Sequence, residues 1–427
     1  MLDIRLIREQ PSVVESNLRK RGDKEGIKQL KELIKNDTER RKLIQEVEQL
    51  RQQRNVVTRE IAEQKSRGIF IKKKMEEAKL LPAKITEIEK KLEKLNKKCD
   101  DALYSLPNIL HESVPVGDSE EDNKLVREHG RPRKFTFGPK DHIDLGVALD
   151  LLDIERAAKI SGARFFFMKG PLAQLDLALM KFATDFLIKK GFSLTIPPYL
   201  MRRKPYEGVV DLADFEDVLY KVEKEDLYLI ATSEHPLTAQ HMDEVLLEES
   251  LPIKYCGLST NFRKEAGAHG KDTKGIFRVH QFNKVEQIVL CRSEESWKWH
   301  EQLITNAEEF FQLLNIPYRI MNICTGDIGS IAAKKYDLEL WLPAQQRYRE
   351  AVSCSNCTDY QARRLKIRYR EKEGTPPKDF VHTLNSTLVT DRTLVAVLEN
   401  FQQSDGSVEI PKALQSYCGF ERIEKKG

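Results

Sequence analysis

The chain has few of the features that would place it in a membrane or outside a cell. Its 427 residues include 7 cysteines and 3 tryptophans, and no apolar run approaches the roughly 20 residues that a membrane-spanning helix needs. An odd and sparse set of cysteines does not suit a disulfide framework, which favours a reducing compartment. The N-terminal stretch MLDIRLIREQP has neither the basic-then-apolar order of a secretory signal nor the acid-poor composition of a transit peptide. We therefore expect a cytoplasmic protein with no membrane partner.

Two common site signatures are also missing. Only Cys354 and Cys357 have metal-like spacing, and no second CxxC or His pair completes a four-ligand site, so we expect no structural zinc. Neither a Walker P-loop nor a dinucleotide GxGxxG occurs. A nucleotide would have to be bound by another architecture.

What is present indicates two domains, since single cores seldom grow much past about 250 to 300 residues. A long glycine-poor tract carries two apolar runs with steps of three and four residues, the first of them broken at Arg54, which predicts an antiparallel coiled-coil hairpin turning near residues 66–70. The first run is Leu43, Val47, Leu50, Val57 and Ile61, and the second is Ala78, Leu81, Ile85, Ile88, Leu92, Leu95, Cys99, Ala102 and Leu106.

Positive charge is concentrated in this hairpin. Residues 27–104 hold 21 Lys or Arg against 14 Asp or Glu. Such a surplus on one elongated element is expected for a polyanion partner, but it is also typical of a solvated, Lys-rich coiled coil. Charge alone favours the solvated coiled coil and leaves the polyanion partner open.

The remainder of the chain predicts an α+β domain. We assign residues 1–110 to the helical arm, 111–142, rich in Pro, Gly and charge, to a linker, and 143–427 to a second domain. There an amphipathic helix opens at Pro171 and closes at Gly191. Strands alternating with helices favour an antiparallel sheet. The predicted strands are 165–167, 227–231, 253–262, 275–290, 317–323 and 335–342, and the predicted helices include 294–314 and 392–403.

The stretch FRKEAGAHGKDTKGIFRVHQFNKVE, residues 262–286, carries the chemistry. It predicts two strands joined by a polar loop, with Arg263 and Glu265 on one face of the first strand, and Arg278, Phe282 and Glu286 on one face of the second. Phe282 and Glu286 would stand about 13 Å apart. A cation, a ring and a carboxylate suit an aminoacyl nucleotide. The alternative is an ordinary amphipathic hairpin whose polar face meets water.

Over nearly its full length the chain resembles the seryl-tRNA synthetases of the common class II type. The resemblance rests on an ordered set of segments: MLDIRLIRE, ATSE, FRKEAG, YDLELW, EAVSCSNCTDYQARR and HTLNS. It implies an N-terminal coiled-coil arm that binds tRNA, and a class II catalytic domain built on an antiparallel sheet flanked by helices. Residues 172–198 are similar to the first class II motif, which in the family builds a homodimer interface.

The second and third class II motifs supply an ATP site. By resemblance, Arg263 holds the α-phosphate and its developing charge, Phe282 stacks on adenine, and Glu265 orients the nucleotide and the tRNA end. Arg392 is expected over adenine and against the γ-phosphate, and with Arg263 it forms the catalytic pair. The remaining residues implied in ATP binding are Lys264, Arg278, Val279, Glu350, Ala351, Val352 and Ser353.

The third motif departs from the family pattern. The family usually has small residues, often Gly, before the final Arg, whereas this chain has Ser386-Thr387-Leu388-Val389-Thr390-Asp391 and is a residue shorter. Arg392 remains the counterpart, but the positions of Ser386 and Thr387 do not transfer from the family.

The resemblance also assigns the remaining ligands. Glu350 and Ser353 match positions that hold Mg²⁺ on the ATP phosphates. The serine-binding set is Thr232, Ser233, Glu234, Glu286 and Asn385, and the arm residues expected to contact tRNA are Lys65, Arg67, Lys72, Lys73 and Lys74.

The implied reaction activates L-serine with ATP to seryl-adenylate and transfers the seryl group to tRNA(Ser). The same chemistry would serve tRNA(Sec) in a host that has it. Two alternatives are a non-catalytic paralogue that binds RNA through its coiled coil, and a class II ligase for another small amino acid. Intact motif residues disfavour the first, and the TSE segment with the long arm disfavours the second.

Overall fold

The structure is a computed structural model that describes residues 1–68, 72–265 and 275–425. The chain divides into two compact units, Met1–Ile109 and Leu110–Gly427. Within the described residues, no helix is long and apolar enough to span a membrane.

The first unit is helical. Asp23 caps the long helix by accepting a hydrogen bond from the backbone N–H of Gly26. The two long helices pack along the predicted seam, where Val47, Ile85 and Ile88 are buried, which confirms the coiled-coil hairpin. The predicted turn at 66–70 falls partly outside the described residues. The helices are α1 (Ile4–Glu9), α2 (Pro11–Lys20), α3 (Lys24–Ser66) and α4 (Lys72–Ser105).

The second unit is built on a sheet to which eight strands of the described residues contribute. Their order is β1-β10-β11-β12-β15-β9-β8-β4, and neighbours are antiparallel except for β4 and β8, which confirms the predicted α+β class. The strands of this unit are β1 (Lys124–His129), β2 (Leu152–Asp153), β3 (Phe167–Met168), β4 (Ser193–Thr195), β5 (Leu200–Met201), β6 (Tyr228–Leu229), β7 (Val245–Leu247), β8 (Ile253–Phe262), β9 (Gln281–Cys291), β10 (Tyr318–Asn322), β11 (Lys334–Leu342), β12 (Arg347–Asn356), β13 (Arg368–Arg370), β14 (Asp379–Phe380), β15 (His382–Thr390), β16 (Val408–Glu409) and β17 (Arg422–Ile423).

Helices cover both faces of this sheet. Alternate residues of β9 separate the two layers, because side chains alternate across a strand: Val285 and Val289 join the core under α7, α11 and α13, and Ile288 and Leu290 join the core under α8, α10 and α12. The helices are α5 (His142–Ala148), α6 (Ile154–Ser161), α7 (Gly170–Lys189), α8 (Arg203–Val209), α9 (Leu212–Phe215), α10 (Glu234–Ala239), α11 (Ser296–Leu314), α12 (Tyr360–Leu365), α13 (Asp391–Phe401) and α14 (Lys412–Cys418).

The segment expected to be a linker is part of this second unit. Strand β1 pairs with β10 at the edge of the sheet, and Val114 packs against Ile323. The side chains of β1 are almost all exposed, so the strand carries no apolar alternation in its sequence. From its sequence, an exposed edge strand of this kind is predicted to be a loop.

Two further expectations differ from the structure. The Phe165–Phe167 stretch is not a core strand, since only Phe167 is in a strand and that ring is 44% exposed. The strand predicted from 275 begins at Gln281. Gly275 has φ +74°, and a Cβ there would lie 2.3 Å from Nε2 of His142, so this position is a turn that requires glycine.

Candidate active site

A cavity of about 620 Å³ gathers most of the predicted residues. It lies in the second unit, where strands β9, β12 and β15 contribute to its lining. Lys264, Ser233 and Val352 are absent from its described lining. The predicted residues that line it are Thr232, Glu234, Arg263, Glu265, Arg278, Val279, Phe282, Glu286, Glu350, Ala351, Ser353, Asn385 and Arg392.

The predicted hairpin is shorter than the sequence indicated. Strand β8 ends at Phe262 and β9 starts at Gln281, so Arg263, Glu265 and Arg278 lie in the connecting segment and not on strand faces. Glu265 has φ +50° and accepts a hydrogen bond from Nη1 of Arg278 at 3.3 Å. The loop residues 266–274 lie outside the described residues. The cation, ring and carboxylate nevertheless share one cavity.

Arg263 directly follows the last residue of strand β8. Its Nε donates to the carbonyl of Ala231 at 3.2 Å, and its guanidinium carbon lies 5.1 Å from the ring centre of Phe282. The enclosed position lowers the pKa of Arg263, and the nearby Glu265 carboxylate opposes that shift. The group stays charged because an arginine pKa begins so high. A planar cation beside an aromatic ring is thus available to a phosphate and a base.

Arg392 reaches the same cavity from the start of α13. Thr390 caps this helix by accepting from the backbone N–H of Arg392, and Nη1 of Arg392 donates to the carbonyl of Glu350 at 2.7 Å and to its carboxylate at 3.1 Å. The guanidinium also stacks over Phe277, at 4.7 Å from the ring centre. Arg392 is therefore positioned by a cap, a carboxylate and a ring.

Glu350 is an ionised carboxylate in the middle of the cavity lining. Partial desolvation would raise its pKa, but the charges of Arg392 and Lys335 outweigh this and lower the pKa to about 2. Its side chain is 46% exposed to the open cavity. Ser353, which lines the cavity too, adds a hydroxyl oxygen. Two oxygen donors of this kind fit Mg²⁺, which retains waters and shares phosphate ligands.

The other part of the cavity holds a cluster of buried charges. Lys284 forms an ion pair with Glu286 and donates from Nζ to Oγ1 of Thr232 at 3.2 Å. Thr387 donates to Glu286 at 3.4 Å. Burial raises the pKa of Glu286, and Lys284 opposes the shift. The enclosed position of Glu234, together with the negative charge of Glu286, raises its pKa to about 7.

Sequence reasoning missed several lining residues. Lys284 could have been predicted, because it lies on the same face of β9 as Phe282 and Glu286. Phe277 could not, because its place depends on distant groups: His142 accepts from the backbone N–H of Ile276 at 3.3 Å and contacts a buried glutamate, Glu399, at 3.1 Å. The remaining unpredicted residues of the lining are Val209, Val210, Asp211, Phe215, His235, Ile276, Ile328, Gly329, Ser330, Ile331, Ala332, Ser355, Cys357, Thr387, Thr390 and Asp391.

The strand of the third motif, β15, contains a bulge. Thr387 pairs with Glu286 and Val389 pairs with Val285, so Leu388 is an extra residue in the ladder. Leu388 and Val389 are consecutive, yet both are fully buried in the same core. Asn385 and Thr387, before the bulge, and Arg392, after it, all line the cavity.

The residues of the arm that were predicted to contact tRNA lie in the first unit. Lys65, Arg67, Lys72 and Lys73 are exposed, and Lys74 forms an ion pair with Glu60 at 2.6 Å.

The described residues contain no group of three or more His, Cys, Asp or Glu that could hold a metal ion.

Two family models match the chain. Residues 1–110 match the seryl-tRNA synthetase N-terminal domain, and residues 219–401 match the tRNA synthetase class II core domain (G, H, P, S and T). Among curated relatives, the serine–tRNA ligase of Pyrococcus horikoshii is 50% identical, with 100% of this chain and 99% of the relative covered. The serine–tRNA ligase of Methanospirillum hungatei is 52% identical, with 98% of each covered.

Solved structures agree with these matches. The seryl-tRNA synthetase from Pyrococcus horikoshii complexed with ATP superposes with a TM-score of 0.96 at 50% identity, covering 100% of both chains. The cytoplasmic serine–tRNA ligase from Naegleria fowleri in complex with AMP gives 0.90 at 39% identity, covering 100% of this chain and 99% of that one. The chain belongs to the seryl-tRNA synthetase family.

Proposed function

We propose that this chain joins L-serine to tRNA in two steps at the 620 Å³ cavity. The carboxylate of serine attacks the α-phosphorus of ATP, and pyrophosphate leaves. The terminal adenosine hydroxyl of tRNA(Ser) then attacks the carbonyl of seryl-adenylate, and AMP leaves. The single observation that carries the proposal is the union, in one cavity, of the Arg263–Phe282 and Arg392–Glu350 pairs with the Thr232–Lys284–Glu286 cluster.

The nucleotide end follows from the paired arginines. Phe282 stacks on adenine, and Arg263 lies where its guanidinium can hold the α-phosphate and the charge that develops on it. Arg392 binds the outer phosphates, with Glu265 and Arg278 closing the cavity. Glu350 and Ser353 would hold Mg²⁺, which supplies positive charge to the phosphate oxygens when bound.

The serine end follows from the charged cluster. The ammonium group of serine fits between the carboxylates of Glu234 and Glu286, and the hydroxyl meets short polar groups such as Asn385 and Thr387. A site whose buried polar groups would be left unpaired rejects an analogue without the hydroxyl. No side chain acts as a nucleophile, so catalysis rests on positioning and charge stabilisation.

The arm and the apolar surface bear on partners. The exposed Lys65, Arg67, Lys72 and Lys73 give the arm a basic tip suited to the phosphates of tRNA, and tRNA(Sec) would be served in a host that has it. A homodimer is supported by the exposed apolar side chains of α7 and the sheet edge, among them Leu177, Ile188, Leu194 and Ile196.

Pyrophosphate exchange tests the activity directly. Serine should support exchange, and threonine, alanine and glycine should not. Arg263→Ala should retain the fold and lose most exchange, whereas Arg156→Ala, at an exposed arginine of the same unit, should remain active. Near-normal exchange in Arg263→Ala, or no exchange with serine in the unchanged protein, would contradict the proposal; the second result would favour a non-catalytic paralogue.

The arm is tested with the same preparation. Neutralising Lys72, Lys73 and Lys74 together should reduce charging of tRNA(Ser) and spare exchange. The matched control neutralises Lys97 and Lys98, which are exposed near the other end of α4. An equal loss of both steps would mean that the basic tip supports folding and not RNA binding.

A further inference from the structure

Gln361, on α12, lies next to the candidate active site, and the function proposed above assigns it no role. The residue is 1% exposed, and it contacts Glu234 and Val209, which both line the cavity. Helix α12 is held against the end of α8, since Nη1 of Arg364 donates to the carbonyl of Val210 at 2.9 Å. Gln361 is therefore carried by a helix that is tied to the wall of the cavity.

The side-chain amide of Gln361 has a fixed orientation. Nε2 donates to the carbonyl of Val209 at 3.0 Å and to Oε1 of Glu234 at 3.3 Å. Oε1 of Gln361 accepts from the hydroxyl of Thr383 at 2.6 Å. Because a backbone carbonyl only accepts, the NH₂ side of the amide must face Val209. The second N–H of the same group is then available to Glu234.

The contact restrains a carboxylate that lines the cavity. Glu234 is the first residue of α10, and a free glutamate side chain would sample several rotamers. A hydrogen bond from an amide favours the ionised form. Burial and the negative charge of Glu286 raise the pKa of Glu234 to about 7, whereas Lys284 and Gln361 oppose the shift. Gln361 thus acts on both the orientation and the charge of this group.

A purely structural link is the competing interpretation, because Gln361 joins α8, α10 and β15. The hydrogen bonds with Val209 and Thr383 suit that role. The bond to Glu234 differs from them, because it ends on a carboxylate of the cavity lining. The two interpretations differ in what they predict for serine and for ATP, since the contacts proposed for ATP do not include Glu234.

We infer that Gln361 is a positioning residue, which holds Oε1 of Glu234 so that Oε2 accepts from the ammonium group of serine. The inference rests on the proposed function and deepens it by naming the group that orients one carboxylate of the serine end. Gln361 itself does not touch the substrate. Its effect on binding is large because a charge-assisted hydrogen bond weakens when its acceptor is displaced.

Exchange kinetics of Gln361→Met test the inference, because methionine keeps the length of the side chain and removes the amide. The KM for serine should rise about tenfold, with the KM for ATP within about twofold. Inhibition by ethanolamine, which carries an ammonium group, should weaken in parallel, and inhibition by 3-hydroxypropanoate, which carries none, should not. Equal weakening of both inhibitors, or equal rises of both KM values, would overturn the positioning role and leave the structural link.

Gln402→Met is the matched control. Gln402 is also 1% exposed, and its amide is bonded on both sides. Nε2 donates to the carbonyls of Lys140 and Glu399, and Oε1 accepts from the backbone N–H of Lys140. Gln402 is absent from the described lining of the cavity, so both KM values should stay within about twofold.

Thr383 supplies a second test, which holds even if Gln361→Met fails to fold. Thr383→Val keeps the shape and removes the hydroxyl that bonds the Gln361 amide, so the KM for serine should rise about threefold. Thr383→Ser keeps the hydroxyl and should restore the original KM. An unaltered serine KM in Gln361→Met and Thr383→Val, with normal exchange in the unchanged protein, would refute this inference alone. Absence of serine-dependent exchange in the unchanged protein would refute the proposed function and the inference together.

Discussion

Glu350 and Glu234 line one cavity, yet their pKa values move in opposite directions. The enclosed position raises the pKa of both, but the charges of Arg392 and Lys335 lower that of Glu350 to about 2. Glu234 faces Glu286 and accepts from the neutral amide of Gln361 at 3.3 Å, and its pKa rises to about 7. The neighbouring charges decide the sign. At neutral pH one carboxylate is therefore ionised, while the other is close to its midpoint of titration.

The largest effect should come from removing the cation of the serine end. Lys284→Met leaves Glu286 buried without its partner, so we expect a loss of about 3 to 5 kcal/mol in the free energy of unfolding at pH 8, measured by urea denaturation. Serine-dependent exchange should fall roughly a hundredfold or more. The double variant Lys284→Met with Glu286→Gln should recover part of the stability.

A surface pair supplies the control for this change. Lys378 pairs with Glu248 at 3.0 Å, but its side chain is 58% exposed, so Lys378→Met should leave the free energy of unfolding nearly unchanged. Equal losses for the Lys284 and Lys378 variants would mean that the buried cluster is not a special ionic site.

An intermediate effect is expected at the nucleotide end. Arg392→Lys keeps the charge but loses the guanidinium that donates from Nη1 to both the carbonyl and the carboxylate of Glu350 and that stacks on Phe277. The KM for ATP should rise roughly tenfold to thirtyfold, with the KM for serine within about twofold, as measured by exchange kinetics. A rise confined to serine would reverse the assignment of the two ends. Arg347→Lys, at an exposed position on β12, is the matched control.

The smallest effect should appear as a pH dependence of serine binding. Because the pKa of Glu234 is raised to about 7, the carboxylate is ionised above that pH and is protonated below it. Serine keeps its ammonium form across this range, so its KM should rise about tenfold between pH 8 and pH 6. Glu234→Gln should bind serine more weakly and lose this dependence. Any pH dependence of the serine KM that remains in the variant comes from other titrating groups. Identical pH dependences in both proteins would therefore exclude Glu234 as the group responsible.

The fold and much of the site could be predicted from the sequence where the cause is local. Periodicity located α7 and the coiled coil, and the strand predicted over 253–262 is β8. Strand β1 was not predicted, because the sequence of an exposed edge strand does not alternate between apolar and polar residues. Phe277 was missed because its position depends on segments that are far apart in the chain, which no local pattern reports.

The extra residue at Leu388 makes the number of residues before Arg392 important for the direction in which its side chain points. Strand side chains alternate with a period of two, so one inserted residue shifts everything after it to the opposite face, unless a second irregularity restores the order. In this chain the bulge lets two consecutive residues enter one core. Evolutionary changes of length in this stretch are therefore constrained to those that keep the arginine facing the cavity, and a two-residue insertion should be less harmful than the loss of one residue.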